Sequence, residues 1–341
     1  MEIPNIKKDL QLLQEKRGRL IHVSNKEWYS LFKDEIRNSI AIEGLFTNRT
    51  DLIEVLEQNK RADNQKTAAI LGYFESAFAV YEYAAIQYRE KEFSLRMSDI
   101  KQIHTLLMRY EKEKGFYKGE IGEFRKQRVA VTLSTFTPIS EFYVRQAIEL
   151  LIKWVNYHLQ KKTYSPVRLA AIAHVWFESI HPFRDGNGRA GRILLSYLLI
   201  GEGLINIAIK GISKKDRDIY YESLEKADDD FELIHREMEK GKSFTVKQVD
   251  ELIHKDNFDE FVTIVVNRLE DAVSRLKEID VDSVDQEAKL PLSDLAHLYN
   301  YSPDYLRNLI NQGKLKGYKK GKTWYVQVKD LAKYVEELSS K

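Results

Sequence analysis

The chain has 341 residues, 43% of them hydrophobic and 31% charged, with a net charge of +2 at pH 7, which suits two globular domains and leaves nucleic-acid contact to a local basic patch. The absence of Cys excludes a disulfide framework, a thiolate metal site and a cysteine nucleophile. No stretch approaches the roughly 18 uninterrupted apolar residues of a membrane span, and the polar start Met1-Glu2-Ile3-Pro4 has no signal-peptide character, so a cytoplasmic protein without membrane contact is expected.

Residues 1–110 read as helices. Ser24 and Glu27 form a capping box before a helix through Trp28, Leu31, Phe32 and Ile36, which continues past Ser39 and Glu43 and stops at Gly44. Apolar periodicity predicts helices over 67–88 and 98–110, with Tyr73, Phe74, Phe78, Tyr81 and Tyr83 as packing aromatics. His104 and His158 have no acidic or His partner at ligand spacing and read as structural. Val129 to Pro138 is the one clear strand-like run before the C-terminal region, and its hairpin would leave pairing groups open on an edge. A helix over 141–159 carries Tyr143, Ala147, Leu150, Leu151 and Trp154 on one stripe. Ser165 and Pro166 then suit the N-cap and first position of the next helix. Its His174 lies two turns before His181 on the same face. With no third ligand at useful spacing, a buried, hydrogen-bonded His174 is expected rather than a metal site.

That helix runs into Ile180-His181-Pro182-Phe183-Arg184-Asp185-Gly186-Asn187-Gly188-Arg189-Ala190-Gly191-Arg192, where Pro182 stops it and a second helix begins near Arg189. Gly186 and Gly188 around Asn187 let the backbone turn tightly and aim N–H groups at the start of that helix, where its dipole favours an anion. Arg189 and Arg192 can face the same anion. His181 can serve as a base near neutral pH, and Asp185 offers a hard oxygen for Mg²⁺. Together they point to phosphoryl or nucleotidyl transfer. A Gly-Asn-Gly alone would be no more than a capping loop.

The whole stretch resembles the signature of the Fic (filamentation-induced-by-cAMP) family, His-Pro-Phe-x-Asp/Glu-Gly-Asn-Gly-Arg-x-x-Arg, without departure. The resemblance covers about residues 20–280. It implies a mainly α Fic-type domain with a β-hairpin flap and a protein adenylyltransferase activity, in which AMP passes from ATP to a Tyr, Ser or Thr hydroxyl of a target protein. It further implies ATP and Mg²⁺ as substrate and cofactor. His181 would take the hydroxyl proton, Asp185 would hold Mg²⁺, Asn187, Gly186, Gly188 and Arg189 would cradle the phosphates, Arg192 would hold the γ-phosphate, and Phe183 would lock the loop inward. Ser39-Ile40-Ala41-Ile42-Glu43-Gly44 fits the family's inhibitory motif, which implies that Glu43 pairs with Arg192 and bars productive ATP binding. The run 129–138 resembles the flap on which the family docks a target segment by strand addition. AMP removal from a modified target by the same site remains an alternative, as does another phosphate donor.

Beyond the signature, Tyr220 and Tyr221 resemble the family position that contacts adenosine. The family texture then breaks and resumes near Asn257-Phe258-Asp259, so 230–256 reads as an insertion within a catalytic core spanning 111–280. A polar linker, 281–290, leads to residues 291–341. There a helix near 293–298, a helix from Ser302-Pro303 to Gly313, two brief strands around a Lys/Gly turn and a last helix over 331–338 resemble the winged helix-turn-helix of the excisionase/MerR type. Residues 305–323 hold Arg307, Lys314, Lys316, Lys319, Lys320 and Lys322 and no acid, a basic patch on a nearly neutral chain. Arg307, Asn308 and Asn311 are candidate base-edge contacts, and Lys319, Lys320 and Lys322 candidate backbone contacts, for DNA as a partner. A DNA-binding regulator whose Fic domain senses nucleotide is the alternative from another class. Homo-oligomerisation stays open and would bear on whether the Glu43 helix remains docked.

Overall fold

The computed structural model describes residues 3–17, 20–47, 49–57, 62–129, 137–278, 288–299, 301–321 and 323–339. It divides into two compact units, Met1–Val273 and Ser274–Lys341. Residues 130–136 of the expected flap, 281–287 of the linker, and Lys322 lie outside the described residues.

The first unit is helical: α1 (Ile3–Arg17), α2 (Lys26–Ile42), α3 (Arg49–Leu56), α4 (Gln65–Glu90), α5 (Met97–Glu113), α6 (Val144–Lys161), α7 (Pro166–Ile180), α8 (Asn187–Gly201), α9 (Lys214–Glu239), α10 (Val246–Leu252) and α11 (Asp259–Glu278). Its centre is α8, buried along its whole length from Arg189 to Gly201 and packed against α2, α4, α5 and α7. On α7, Trp176 and Phe177 are fully buried, each contributing about 1.5–3 kcal/mol of transfer free energy. The signature loop therefore hangs between two helices fixed by the core. α4 and α5 approach so closely that a Cβ at Gly72 would collide with the carbonyl of Leu107.

Local chemistry sets the helix ends. Ser165 caps α7, accepting from the Arg168 N–H at 3.3 Å, as its sequence predicts. α2 is capped differently from expectation. The Asn25 side chain accepts from the Trp28 N–H at 2.9 Å, while Ser24 Oγ lies 2.6 Å from His22 Nδ1. At its other end the Leu45 N–H donates to the Ile40 carbonyl and the Gly44 N–H to that of Ala41, both at 3.0 Å, with Gly44 at φ +79°. This paired closure needs the left-handed residue that glycine supplies, and it fixes Glu43 as the cap residue directly after α2.

The stretch 230–256, expected as an insertion, is an ordered part of this unit. α9 continues through it to Glu239, burying Phe231, Ile234 and Met238. Asp230 then accepts from the His254 N–H at 2.8 Å, and Asp250 gathers the Trp154 indole at 2.8 Å, His158 Nε2 at 3.1 Å and the Tyr164 hydroxyl at 3.2 Å. His158 thus has the acidic partner that its sequence neighbourhood lacks.

The second unit comprises β1 (Lys289–Pro291), α12 (Leu292–Leu298), α13 (Pro303–Asn311), β2 (Gly317–Lys320), β3 (Thr323–Gln327) and α14 (Val328–Ser339). The sheet is antiparallel in the order β1-β3-β2, with Leu290 and Gly317 both opposite Val326. Three strands stand where the sequence predicts two, because the end of the expected linker pairs with β3. Leu292, Leu295, Leu306, Leu309, Leu315, Val326, Val328 and Leu331 form its core.

Candidate active site

α7 ends because His181 turns left-handed, at φ +51°, before Pro182. A non-glycine residue there costs roughly 1–2 kcal/mol, so the surroundings must hold it. Arg125 does so. Its Nε donates to the His181 carbonyl at 2.8 Å, its Nη2 to the carbonyls of Ile180 (3.3 Å) and Ile139, and its Nη1 to that of Gln127 (3.2 Å). Its backbone N–H adds a bond to the Pro182 carbonyl at 2.9 Å. Arg125 is buried, so each carbonyl depends on it.

The far end of the loop is held by His104. Its Nδ1 accepts from the Gly122 N–H at 2.9 Å, so Nε2 carries the proton and donates to the Asp185 carbonyl at 3.1 Å. The same ring stacks on Phe183, centroids 3.8 Å apart and planes at 8°. Phe183 is fully buried, the inward lock expected of it. The Asn187 side chain spans the loop, accepting from the Phe183 N–H at 2.8 Å and donating to its carbonyl at 2.9 Å. Its amide therefore braces the loop. Gly186 precedes α8 at φ +76°, which starts that helix and its N–H groups at the site.

The charged groups divide into three. Arg189 pairs with Glu111 at 2.5 Å, both nearly fully buried, so in this state it faces the core beneath the loop. Arg192 pairs with Glu43 at 2.6 Å, and its Nε and Nη2 also donate to the Ser39 hydroxyl (2.8 Å) and carbonyl (3.0 Å). Ser39, Glu43 and Arg192 thus come together as expected, with Gly44 closing the helix. A Cβ at Gly188 would lie 2.5 Å from Glu43 Oε1, so the carboxylate rests directly on the first turn of α8. Glu43 thus places a carboxylate over the start of α8, paired with Arg192. Burial is the largest influence and opposes its charge, but the charge and hydrogen bond of Arg192, with Arg189 behind it, together hold the carboxyl below its usual range. The third group is Asp185, exposed at the mouth, one oxygen accepting from the Gly186 N–H at 2.6 Å.

His181 is largely buried, and burial drives its pKa down to about 4, with Arg125 adding to the fall. At neutral pH it is an uncharged imidazole. Nδ1 lies 3.3 Å from the Glu178 carbonyl, which favours the proton there and leaves Nε2 as an acceptor. His174 is buried between the Gly191 carbonyl (2.9 Å) and the Tyr220 hydroxyl (2.8 Å), a satisfied core residue as expected. That bond separates the Tyr pair. Tyr220 is 3% exposed and committed to His174, whereas Tyr221 is half-buried, its hydroxyl 3.5 Å from the Ile42 carbonyl beside Glu43.

Among the described residues no group of three or more metal-ligating side chains occurs. A single exposed carboxylate suits Mg²⁺, which is commonly bound through one or two carboxylates together with substrate phosphates.

In the second unit Ser302 caps α13, accepting from the Tyr305 N–H at 3.0 Å. Leu306 and Leu309 face the core, and Arg307, Asn308 and Asn311 are exposed. Arg307 pairs with Asp304 at 2.8 Å. Lys319 and Lys320 are exposed on β2, with Lys319 6.0 Å from the Trp324 ring centroid.

Residues 94–199 match the Fic/DOC family, and residues 292–339 match a helix-turn-helix domain. The chain is 28% identical over 312 residues to a probable protein adenylyltransferase of Aquifex aeolicus, covering 90% of this chain and 88% of that protein. It is 34% identical over 105 residues to protein adenylyltransferase fic-1 of Caenorhabditis elegans, covering 31% of this chain and 20% of that one. It likewise spans under half of the length of the insect relatives it matches. In fold it resembles a Fic domain containing signaling protein from Bacteroides thetaiotaomicron, with a TM-score of 0.61 at 22% identity over 81% of this chain and 97% of that one. It also resembles Fic-1 from C. elegans, with a TM-score of 0.56 at 20% identity over 81% and 72%. The chain carries a Fic domain and a C-terminal helix-turn-helix domain.

Proposed function

We propose that this chain is a protein adenylyltransferase whose own Glu43 holds it in check. The observation that carries the reading is the Glu43–Arg192 pair at 2.6 Å on the first turn of α8. An anion site is occupied by a tethered carboxylate, beside a neutral imidazole with a free acceptor nitrogen. ATP would displace Glu43, and its terminal phosphate would pair with Arg192 over the N–H groups at the start of α8.

A target Tyr, Ser or Thr hydroxyl then attacks the α-phosphorus. The new O–P bond forms as the bond to the β-phosphate bridging oxygen breaks, and pyrophosphate leaves with that electron pair. His181 Nε2 takes the hydroxyl proton. Asp185 is the residue to hold Mg²⁺, which supplies charge neutralisation on the phosphates. Arg125, His104 and Asn187 keep the loop in place throughout, so no reorganisation is needed when charge develops. Of the target segment's expected seat at 129–138, residues 130–136 are undescribed, and strand docking there remains part of this reading. The second unit, with Arg307, Asn308, Asn311, Lys319 and Lys320 exposed, supports double-stranded DNA as a second partner.

The test uses full-length wild type, Glu43→Gly and Glu43→Gly/His181→Ala, incubated with ATP, Mg²⁺ and a cell lysate supplying targets. AMP-sized mass adducts, on the chain or on lysate proteins, should appear with Glu43→Gly alone. No adduct with any variant would overturn the transferase reading.

A further inference from the structure

α13 carries a single acid, Asp304, at its second position. At about 100° per residue, Asp304 and Asn311 stand opposite the core-facing Leu306 and Leu309, with Asn308 on one flank and Arg307 on the other. No further acid occurs before residue 323, while Lys314, Lys316, Lys319 and Lys320 are all exposed. A carboxylate in such surroundings repels phosphate and weakens the sequence-independent part of DNA binding. Nor does the fold depend on it. Its side chain is 82% exposed, Ser302 already caps the helix, and an exposed ion pair adds little stability.

Its one bond in the structure goes to Arg307, whose Nη1 donates to Asp304 Oδ1 at 2.8 Å. Arg307 lies one turn later on the flank, and this bond draws its guanidinium toward the middle of the exposed face. An arginine that reads guanine does so bidentately, with two parallel N–H groups on one edge of its plane. With Nη1 committed to Asp304, the edge formed by Nε and Nη2 has no partner among the described residues. Tyr305 is committed elsewhere, its ring stacked on Tyr301 with centroids 5.2 Å apart and its hydroxyl 3.4 Å from that of Tyr334.

We propose that Arg307 reads a guanine in the major groove of the bound duplex, and that Asp304 is its positioning residue, fixing the guanidinium plane while its charge loosens the hold on other sequences. The inference rests on the double-stranded DNA reading of the second unit. Recognition helices make their base contacts from N-terminal residues, and these two occupy the second and fifth positions of α13. Two effects of opposite sign then follow from one carboxylate. Its removal strengthens binding to any duplex, because a repulsion is gone. The same removal weakens the preference for guanine, because the guanidinium is no longer held. An acid that served only the helix would weaken both when removed.

The experiment selects duplexes from a randomised library with the full-length chain. Fluorescence anisotropy at one fixed salt concentration then measures the selected duplex, its single-base variants and an unrelated duplex. One selected position should be guanine, and replacing that base pair should cost wild type about tenfold or more in affinity. Arg307→Ala should lose that discrimination, and so should Arg307→Lys, which keeps the charge but not the fork. Asp304→Ala should bind the unrelated duplex about threefold or more tightly than wild type, with the guanine preference reduced. A selected site without guanine, or a guanine preference that survives in both Arg307 variants, overturns the reading of Arg307. Weaker binding of both duplexes by Asp304→Ala overturns the positioning role. No binding of any duplex by wild type overturns the DNA reading together with this inference.

Discussion

Replacing Glu43 by Gln isolates the charge in the inhibitory contact. The amide keeps the side chain's shape and one acceptor oxygen, and Arg192 stays anchored by the Ser39 hydroxyl and carbonyl, so geometry changes little. Breaking a fully buried ion pair costs about 3–5 kcal/mol, whereas an exposed pair contributes about 1 kcal/mol or less. Arg192 is 4% exposed but Glu43 is 34% exposed, and the water over Glu43 screens the pair. An intermediate value of about 1–2 kcal/mol follows, which converts to a gain in ATP affinity of about five- to thirtyfold. Calorimetric titration of ATP into wild type and Glu43→Gln at pH 7 measures it directly. Equal affinities would refute the claim that this charge guards the phosphate site. Acid supplies a second check. The Glu43 carboxyl is held below its usual range, so its charge persists above that depressed value and is lost only as pH falls through it. Wild type should therefore remain inhibited down to about pH 5.5, and any adduct formation gained between pH 7 and pH 5.5 would contradict the assignment.

Two further outcomes test the scaffold and the second unit. Arg125→Met leaves the carbonyls of Ile180, His181 and Ile139 without their donor, and should lower unfolding free energy by about 3–5 kcal/mol in a urea titration and abolish AMP transfer in a Glu43→Gly background. Arg125→Lys keeps the charge but not the planar fork, and should recover only part of that stability. In the second unit, Lys319→Glu with Lys320→Glu should weaken double-stranded DNA binding across all sequences. If both lysines contact phosphate, the slope of log affinity against log salt should fall by about 1.8, and an unchanged slope would remove β2 from the interface.

The signature loop is legible in the sequence because its chemistry is contiguous. Twelve positions from His181 to Arg192 hold the candidate base, the candidate metal ligand, the turn glycines and the arginine that pairs with Glu43. The groups that hold the loop in shape are not contiguous with it. Arg125 precedes His181 by 56 residues, and His104 precedes Asp185 by 81. In the sequence Arg125 is one of many basic residues, and His104 is a lone His among Ile100, Ile103 and Leu107, a pattern that reads as core. Nothing local distinguishes a His that fills space from one that also fixes a carbonyl. The same limit hides the bracing bonds of Asn187 and Tyr220, since only the fold shows that Asn187 spans the Phe183 backbone and that Tyr220 bonds His174.

The inhibitory helix reverses the ordinary rule of periodicity. Glu35, Ser39 and Glu43 recur every four residues on α2, a polar row that would normally face water. Here it faces inward because other helices supply the donors. The hydroxyls of Tyr73 and Tyr81 donate to Glu35 Oε1 at 2.9 and 2.5 Å, and the Asn206 amide donates to Oε2 at 2.7 Å. Asn206 is in turn oriented by the Trp28 indole, a donor only, at 2.7 Å. Glu35 is 2% exposed, and burial raises its carboxyl to about 7 against these hydrogen bonds. Lifting α2 away would strand this network as well as Trp28, Phe32 and Ile36, whereas Glu43 hangs from the cap position at the end of the helix with a third of its side chain in water. The helix is thus fixed as firmly as the signature loop, and in the proposed function the freedom needed to admit a nucleotide falls to the Glu43 side chain alone.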